Sequence, residues 1–242
     1  MLQYQTIAVV IPAYNEERLL PKTLASIPDF VDQVIVVDDA SRDATSESAS
    51  RSKRPGLTVE RHAENRGVGA AIVTGYKLAL RQGADIVVVM AADAQMDPAD
   101  LRPLLAPILE GQADYTKGNR LSHPEVFQIM PWSRLVGSYV LSLLTRPLSG
   151  YWSLLDSQCG YTAIHRRAIE RLDLDALYPR YGYPNDLLIQ LGARRLRAQD
   201  VTVRPVYGDE TSGFRPLTVA PKIMYVLGRA LVKRLAYHAK HQ

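Results

Sequence analysis

Short apolar runs alternate with amphipathic segments through the first half of the chain. Four runs predict strands at residues 6–11, 33–37, 57–61 and 85–90, and Pro12 is expected to end the first. Between these runs, apolar residues recur at helical spacing, as at Leu20, Leu24 and Ile27. Strands that alternate with helices in this way predict a parallel sheet with right-handed crossovers.

The pattern is less regular in the second half. Strands are predicted at residues 113–118, 160–165 and 200–204, and helices at residues 133–148, 166–172, 185–196 and from 219 to the end. A polar loop at residues 178–184 separates two of these helices. The chain contains no low-complexity linker, so we predict a single α/β domain.

The composition narrows the class of protein. The 242 residues are 47% hydrophobic and 22% charged, as expected for a globular chain with a sizeable core. One cysteine, Cys159, excludes an intramolecular disulfide and a cysteine-based zinc site. The net charge of +4 fits phosphate-bearing ligands or an anionic surface without selecting either. Neither a signal peptide nor a membrane span is predicted, so we expect a cytoplasmic protein.

Polar residues that follow the fourth strand provide candidate metal ligands. Asp93 and Gln95 lie on a short loop before a helix start, where Asp97 is the predicted cap and Pro98 the first helical residue. Ligands of open α/β sheets bind at this edge. A carboxylate and an amide oxygen suit a hard cation such as Mg²⁺. The alternative is that Asp93 only caps a turn.

Three other strand ends carry polar residues, and parallel strands would gather them on the same edge. They are the segments 14–16, 38–39 and 65–67. Tyr14 offers an aromatic face for a base, and Asp39 can accept from a hydroxyl. Each also has a structural interpretation: Asp38 and Asp39 as caps, Tyr14 packed on the sheet, and Glu16 as a first-turn acid. Together they predict a nucleotide pocket.

Gly67 and Gly69 come after a strand and before a helix, as in dinucleotide-binding folds. The pattern is incomplete, because Ile72 occupies the third glycine position and the motif follows the third strand. We instead expect these small residues to bring the helix close to the sheet. Lys117 is expected to be a surface charge at the end of a strand.

Four segments in order, IPAYNE, VDDASRDAT, NRGVGAA and DAQMDP, resemble the family 2 glycosyltransferases of the GT-A fold. The branch they resemble most contains dolichol-phosphate mannose synthases and polyprenyl-phosphate glycosyltransferases. The resemblance covers about residues 6 to 213. It implies a Rossmann-like, mixed but mostly parallel sheet flanked by helices. It also implies transfer of a sugar from a nucleotide-sugar with inversion, using Mg²⁺ or Mn²⁺.

The resemblance also assigns binding residues. The nucleotide-sugar site would contain Pro12, Tyr14, Glu16, Asp38, Asp39, Gly67 and Asp93. Asp93 would be the second aspartate of the metal motif, followed by Gln95 as a further ligand. The first aspartate is replaced by Ala91, so metal affinity is expected to be weaker or the pyrophosphate to supply more ligands.

Three residues are implied in catalysis. Arg120 would lie near the pyrophosphate and Arg134 near an acceptor phosphate, where a guanidinium can bind phosphate in a bidentate way. Asp186 would act as general base for a hydroxyl acceptor, or would position the substrates if the acceptor is an already ionised phosphate. The alternatives are two surface arginines and a first-turn helix acid.

The remaining segments bear on the acceptor. The apolar helix at 133–148 is too short to span a bilayer, and it either packs in the core or serves the acceptor. The resemblance implies that the loop at 207–213 closes over the donor, with Asp209 and Arg215 as candidate contacts. The last helix has an apolar stripe beside basic residues, which predicts contact with a membrane surface or with the domain itself. The stripe is Ile223, Val226, Leu227, Leu231 and Leu235, and the basic residues are Lys222, Arg229, Lys233, Arg234 and Lys240.

The sequence thus predicts a metal-dependent glycosyltransferase acting on a lipid-linked acceptor at the cytoplasmic membrane face, with no nucleic-acid partner. Residues 1–112 would bind the nucleotide-sugar, residues 113–216 the acceptor, and residues 217–242 would form the basic helix. One alternative is a nucleotidyltransferase, although residues 12–17 lack the glycine and lysine of its phosphate loop. The other is a nucleotide-sugar-binding protein that has lost turnover, because of Ala91.

Overall fold

The computed structural model describes residues 2–206, 225–235 and 237. The strands are β1 (Ile7–Ala13), β2 (Gln33–Asp38), β3 (Leu57–Arg61), β4 (Ile86–Val89), β5 (Tyr115–Asn119), β6 (Thr162–His165) and β7 (Ala198–Thr202). The helices are α1 (Leu20–Ser26), α2 (Thr45–Ser50), α3 (Val68–Arg81), α4 (Leu101–Leu109), α5 (Val126–Ile129), α6 (Trp132–Ser149), α7 (Arg166–Ile169) and α8 (Tyr183–Ala193). A 3₁₀ turn at Pro98–Asp100 precedes α4, and residues 225–235 are helical.

The seven strands form one sheet in the order β3-β2-β1-β4-β6-β5-β7. All pairings are parallel except those of β6, which runs antiparallel to both β4 and β5. The predicted α/β fold with a mixed, mostly parallel sheet is confirmed. Because β6 runs the other way, the loop that enters it lies at the edge where β4 and β5 end.

Helices cover both faces of the sheet. Alternate residues of the central strands, such as Val9 and Val88, pack against α1 and α4 on one face. Their neighbours, such as Val10 and Val87, pack against α3 and α8 on the other. The central strands are buried on both faces, which explains their nearly continuous β-branched sequence.

The prediction that Pro12 ends the first strand is wrong. β1 continues through Pro12, which pairs with Val37 of β2. The carbonyl of Val10 accepts from Met90 on the β4 side, and Pro12, two residues on, faces the same side. The pairing with β4 ends at Val10, so the missing N–H of Pro12 interrupts no ladder.

Of the two interpretations of the helix at 133–148, the structure does not support packing of most of its apolar residues in the core. The side of α6 that faces the protein carries Ser138, Ser142, Thr145 and Ser149, all buried. Most of its apolar side chains are at least 40% exposed, namely Val136, Tyr139, Val140, Leu143 and Leu144, whereas Leu141 and Leu148 pack beside Ile189 and Leu227. Among the described residues, no helix is both long and apolar enough to cross a membrane.

The described part of the C-terminal helix packs partly on the domain. Val226 and Leu227 are buried, and Leu227 lies in a small cluster with Ile189 of α8. Leu231 and Leu235, farther along the predicted stripe, are exposed. Of the predicted basic residues, Arg229 and Lys233 donate to the carbonyl of Ala176, and Arg234 donates to the carbonyl of Leu148. Lys222, Ile223 and Lys240 lie outside the described residues, as does the loop at 207–213 with Asp209 and Arg215.

Candidate functional site

A cavity opens where β4 and β5 end and β6 begins. Asp93, Gln95, Arg120, Tyr161 and Arg204 are among the residues that line it. Three residues predicted from the sequence therefore meet in one place: the two candidate metal ligands and the candidate pyrophosphate arginine. The cavity combines a carboxylate with two guanidinium groups, which suits a metal-bound diphosphate.

The loop that carries Asp93 is held by hydrogen bonds to α1 and within itself. The Thr23 hydroxyl donates to the carbonyl of Ala92 and accepts from the amide of Ala94, which has a φ of 57°. The Asp93 Oδ1 atom accepts from the Gln95 amide at 3.0 Å. Asp93 therefore caps its own turn and also lines the cavity, so the two interpretations of this residue are compatible.

Arg120 is held in place by Asp156, a residue that sequence reasoning missed. Its Nε lies 2.8 Å from Asp156 Oδ2 and its Nη2 3.2 Å from Oδ1. Burial alone would raise the pKa of Asp156, but the Arg120 charge and Lys117 hold this pKa below its usual range. Asp156 Oδ1 also accepts from the amides of Gln158 and Cys159, which fixes the loop before β6. Asp156 lies at the cavity because β6 runs antiparallel to β4 and β5, and the sequence does not reveal that direction.

Lys117 is fully buried, so its prediction as a surface charge is wrong. Its ammonium donates to the carbonyl of Cys159 and interacts with the carboxylates of Asp156 and Asp200. Burial lowers the pKa of Lys117. Burial also raises the pKa of Asp200, to about 6, while its Oδ2 accepts from Leu155 and Asn119. A buried charge network therefore lies behind Arg120.

The predicted nucleoside carboxylates, Asp38 and Asp39, are both buried. Asp39 accepts from the amides of Arg66 and Gly67 at 2.9 and 2.7 Å, and lies 2.7 Å from the His62 ring. These bonds join the end of β2 to the loop that starts α3. Asp39 is not among the residues that line the cavity.

Asp38 has similar structural bonds. Its Oδ1 accepts from the Ser41 amide, and its Oδ2 from the Ser46 hydroxyl, with Arg61 3.3 Å away. For both carboxylates, nucleoside contact stays a prediction. What the structure adds is that each carboxylate holds a loop at the strand edge.

The loop after β1 is bound to the loop after β2. The amide of Asn15 donates to Ser41 Oγ, and the amide of Glu16 to Thr45 Oγ1. Tyr14, in the same loop, is 41% exposed, which leaves part of its side chain open to a ligand such as a base. Pro12 is half-buried at the end of β1. Contact of Pro12, Tyr14 and Glu16 with a nucleotide stays a prediction.

Gly67 and Gly69 allow a close approach, but to a loop and not to the sheet. Gly67 has a φ of +99°, and a Cβ there would lie 2.5 Å from the carbonyl oxygen of Pro179. A Cβ on Gly69 would lie 2.4 Å from the carbonyl oxygen of Tyr178. The glycine that brings α3 close to the sheet is Gly75, where a Cβ would meet Val10. Nucleotide contact by Gly67 stays a prediction.

Asp186 and Arg134 do not line the cavity. Asp186 lies in the first turn of α8, is 1% exposed, and accepts from the Tyr178 amide at 2.7 Å. Burial raises the pKa of Asp186, although Lys233 and Arg229 oppose the shift. Arg134 lies in the first turn of α6 and is half-buried. The catalytic role of Asp186 and the acceptor role of Arg134 stay predictions.

The residues at the cavity fit a metal that is held mainly by its substrate. The described residues contain no group of three or more histidine, cysteine or acidic side chains able to enclose an ion. Asp93 and Gln95 supply one carboxylate and one amide oxygen. Mg²⁺ and Mn²⁺ accept oxygen ligands, and Mg²⁺ is commonly bound by one or two carboxylates together with substrate phosphates.

The sequence and the fold match known proteins. The family model described as "Glycosyl transferase family 2" matches residues 8–173. A UDP-N-acetylglucosamine–dolichyl-phosphate N-acetylglucosaminyltransferase of Methanococcus voltae is 32% identical, over 83% of this chain and 86% of the relative. An undecaprenyl-phosphate mannosyltransferase of Micrococcus luteus is 32% identical, over 81% of this chain and 82% of the relative.

A solved structure shares the fold over nearly the whole chain. It is glucosyl-3-phosphoglycerate synthase of Mycobacterium tuberculosis in complex with Mn²⁺, UDP-glucose and phosphoglyceric acid. The TM-score is 0.68 and the identity 26%, over 96% of this chain and 80% of the other.

Proposed function

The chain belongs to glycosyl transferase family 2, and we propose that it transfers a sugar from a nucleoside-diphosphate sugar to the phosphate of a polyprenyl lipid, with inversion. The observation that carries this proposal is the cavity shared by Asp93, Gln95 and Arg120 at the carboxyl edge of the sheet. The lipid acceptor is supported by the two relatives named for dolichyl and undecaprenyl phosphate. The donor class is supported by the structural relative that binds UDP-glucose with Mn²⁺.

The reaction needs a nucleophile on one side of the anomeric carbon and a stabilised leaving group on the other. An acceptor phosphate oxygen attacks the carbon, and the bond to the nucleoside diphosphate breaks with its electron pair leaving on the diphosphate. Arg120 offsets the charge that develops there, and its fork with Asp156 fixes the guanidinium before the substrate arrives. Asp93 and Gln95 would hold a Mg²⁺ or Mn²⁺ ion, which would supply further positive charge beside the diphosphate.

A phosphate acceptor requires no general base, because its oxygen is already ionised near neutral pH. This matches the burial of Asp186, whose carboxylate holds the Tyr178 amide. In this proposal Asp186 positions the loop that meets Gly67 and Gly69. Arg134, at the start of α6, binds the acceptor phosphate. We further propose that residues 1–112 belong to the donor half and residues 113–216 to the acceptor half, and that the basic segment 217–242 contacts the membrane.

The test is a donor and acceptor screen with the purified protein. UDP-glucose, UDP-N-acetylglucosamine and GDP-mannose are each incubated with Mn²⁺ and either undecaprenyl phosphate or phosphoglyceric acid, and the glycosylated product and free nucleoside diphosphate are quantified. We expect glycolipid formation with at least one donor and none without metal. Transfer to phosphoglyceric acid but not to the lipid would refute the acceptor class. Donor binding by calorimetry without turnover on any acceptor would favour a binding protein that has lost activity.

A further inference from the structure

Helix α6 exposes an apolar face to solvent. Six of its residues, spaced by three or four positions and so on one side of the helix, are between 40% and 68% exposed. We call this surface the α6 outer face: Trp132, Val136, Tyr139, Val140, Leu143 and Leu144. Phe127 of α5 extends it, since its ring lies 6.2 Å from that of Trp132. Contiguous apolar surface of this kind marks an interaction site.

The opposite face of α6 is polar and buried. Ser142 donates to the carbonyl of Ser138 and accepts from the amide of Ser157 at 2.9 Å, and the Thr145 hydroxyl lies 3.4 Å from Asn185 Oδ1. A surface helix of a globular protein normally buries its apolar stripe and exposes its polar one. Leu141 and Leu148 pack beside Ile189 and Leu227, but the apolar residues of the α6 outer face have no such cluster within the described fold.

The charge around this face selects the kind of partner. No aspartate or glutamate occurs from Val126 to Leu155, whereas Arg134 and Arg146 do. In a twofold dimer built on this face, the same acid-free, arginine-bearing surface would meet itself. Arg134 and Arg146 are half-buried beside this face, and Arg146 Nε donates to the Leu154 carbonyl. An anionic lipid surface complements their positive charge and accepts the apolar side chains. Tryptophan and tyrosine, both exposed here, are enriched where protein meets the bilayer interface.

We propose that the α6 outer face docks on an anionic lipid bilayer. The inference rests on the proposed lipid-phosphate acceptor, and it names the surface by which the enzyme reaches that acceptor. The buried side of α6 is bonded to the loop that follows it, through Ser142 and Ser157. The neighbouring Asp156 holds Arg120 at the cavity. Docking through α6 therefore places the bilayer next to the element that carries the acceptor half of the site.

The chain contains two tryptophans, one on the α6 outer face and one just beyond the end of the helix. Trp132 is the first residue of α6, Trp152 follows its C-terminal end, and they are 68% and 70% exposed. The full-length protein is titrated, without donor, with phosphatidylcholine vesicles that contain phosphatidylglycerol. We expect a blue shift of tryptophan fluorescence, quenching by lipids brominated in their acyl chains, and much weaker binding to vesicles of phosphatidylcholine alone.

A matched pair of variants locates the contact. Val140→Glu combined with Leu144→Glu adds two carboxylates to the α6 outer face, and should weaken vesicle binding at least about tenfold. Ala25→Glu combined with Ser50→Glu adds two carboxylates at exposed positions of α1 and α2, and should bind within about twofold of the wild type. All four substitutions are at exposed sites, and circular dichroism checks that each variant folds.

The remaining outcomes overturn the proposal. These are absence of binding to anionic vesicles, equal vesicle binding by both variants, or a wild-type dimer, measured by light scattering, that becomes a monomer only in the α6 variant. The last result would make the partner a second copy of the chain. Failure of the proposed function looks different: vesicles would bind, yet no polyprenyl phosphate would be glycosylated. If only the docking surface is wrong, the α6 variant would glycosylate undecaprenyl phosphate in vesicles as fast as the wild type.

Discussion

Two groups of carboxylates follow the strands of this sheet, and the fold uses them differently. Asp38 and Asp39, after β2, are buried and accept hydrogen bonds from neighbouring loops. Asp93, after β4, is half-buried and lines the cavity together with Arg120. The comparison shows that a position at the carboxyl edge of a sheet does not by itself define a carboxylate's role. Replacing Asp38 or Asp39 should lower the free energy of unfolding, and replacing Asp93 should lower the rate of sugar transfer.

The largest effect is expected from Asp39→Ala. It would leave the amides of Arg66 and Gly67 and the ring of His62 without their acceptor in a buried site. We expect the free energy of unfolding to fall by about 3–5 kcal/mol. Urea denaturation measures it, with Asp39→Asn as a control that keeps one acceptor oxygen. A loss below about 1 kcal/mol would show that these bonds contribute little.

Asp93→Ala should have the opposite profile. Asp93 accepts from the Gln95 amide, and Thr23 holds the same loop through Ala92 and Ala94, so the melting temperature should change little. The kcat/KM for sugar transfer should fall on the order of 100-fold, because the leaving group loses nearby positive charge. Asp97→Ala is the matched control on the same loop. Asp97 caps Ala99, so its loss should cost about 1 kcal/mol of stability and little activity. Equal kinetic losses in both variants would refute a specific role for Asp93.

Asp156→Asn tests a carboxylate that combines both properties. The substitution weakens the bidentate ion pair with Arg120, so we expect a kcat about tenfold lower. It also removes a negative charge beside the buried Lys117, so we expect the free energy of unfolding to fall by about 2 kcal/mol. The control is Asp114→Asn, which weakens a similar fork with Arg197 near the surface. Kinetic assays of the two variants should differ although both lose one ion pair. A normal kcat in Asp156→Asn would mean that Arg120 needs no fixed anchor.

The sequence predicted most strands within two residues, because their β-branched runs end at polar loops. It also predicted that Asp93, Gln95 and Arg120 matter, and the fold brings them together. It did not predict Asp156, because the direction of β6 depends on pairing with β4 and β5, which are distant in sequence.

The burial of Lys117 and the orientation of α6 were equally hidden from the sequence. A lysine at a strand end is usually solvated, and here two carboxylates far along the chain compensate its burial. In α6, apolar and small polar residues both recur at helical spacing, so periodicity alone could not decide which face is buried. Tertiary contacts decided each case.

The smallest expected effect concerns Asp200 of β7, a half-buried carboxylate beside Lys117 that belongs to neither group of carboxylates compared above. Burial raises its folded pKa to about 6, above its value in the unfolded chain, so the folded state binds a proton more tightly. Stability from this group is therefore present below about pH 4 and is lost as the pH rises to about 6, by about 1–2 kcal/mol. Asp200→Asn cannot titrate, so the stability difference between wild type and variant should change across this window. Urea denaturation at several pH values measures it, and parallel curves for the two proteins would show that Asp200 titrates normally.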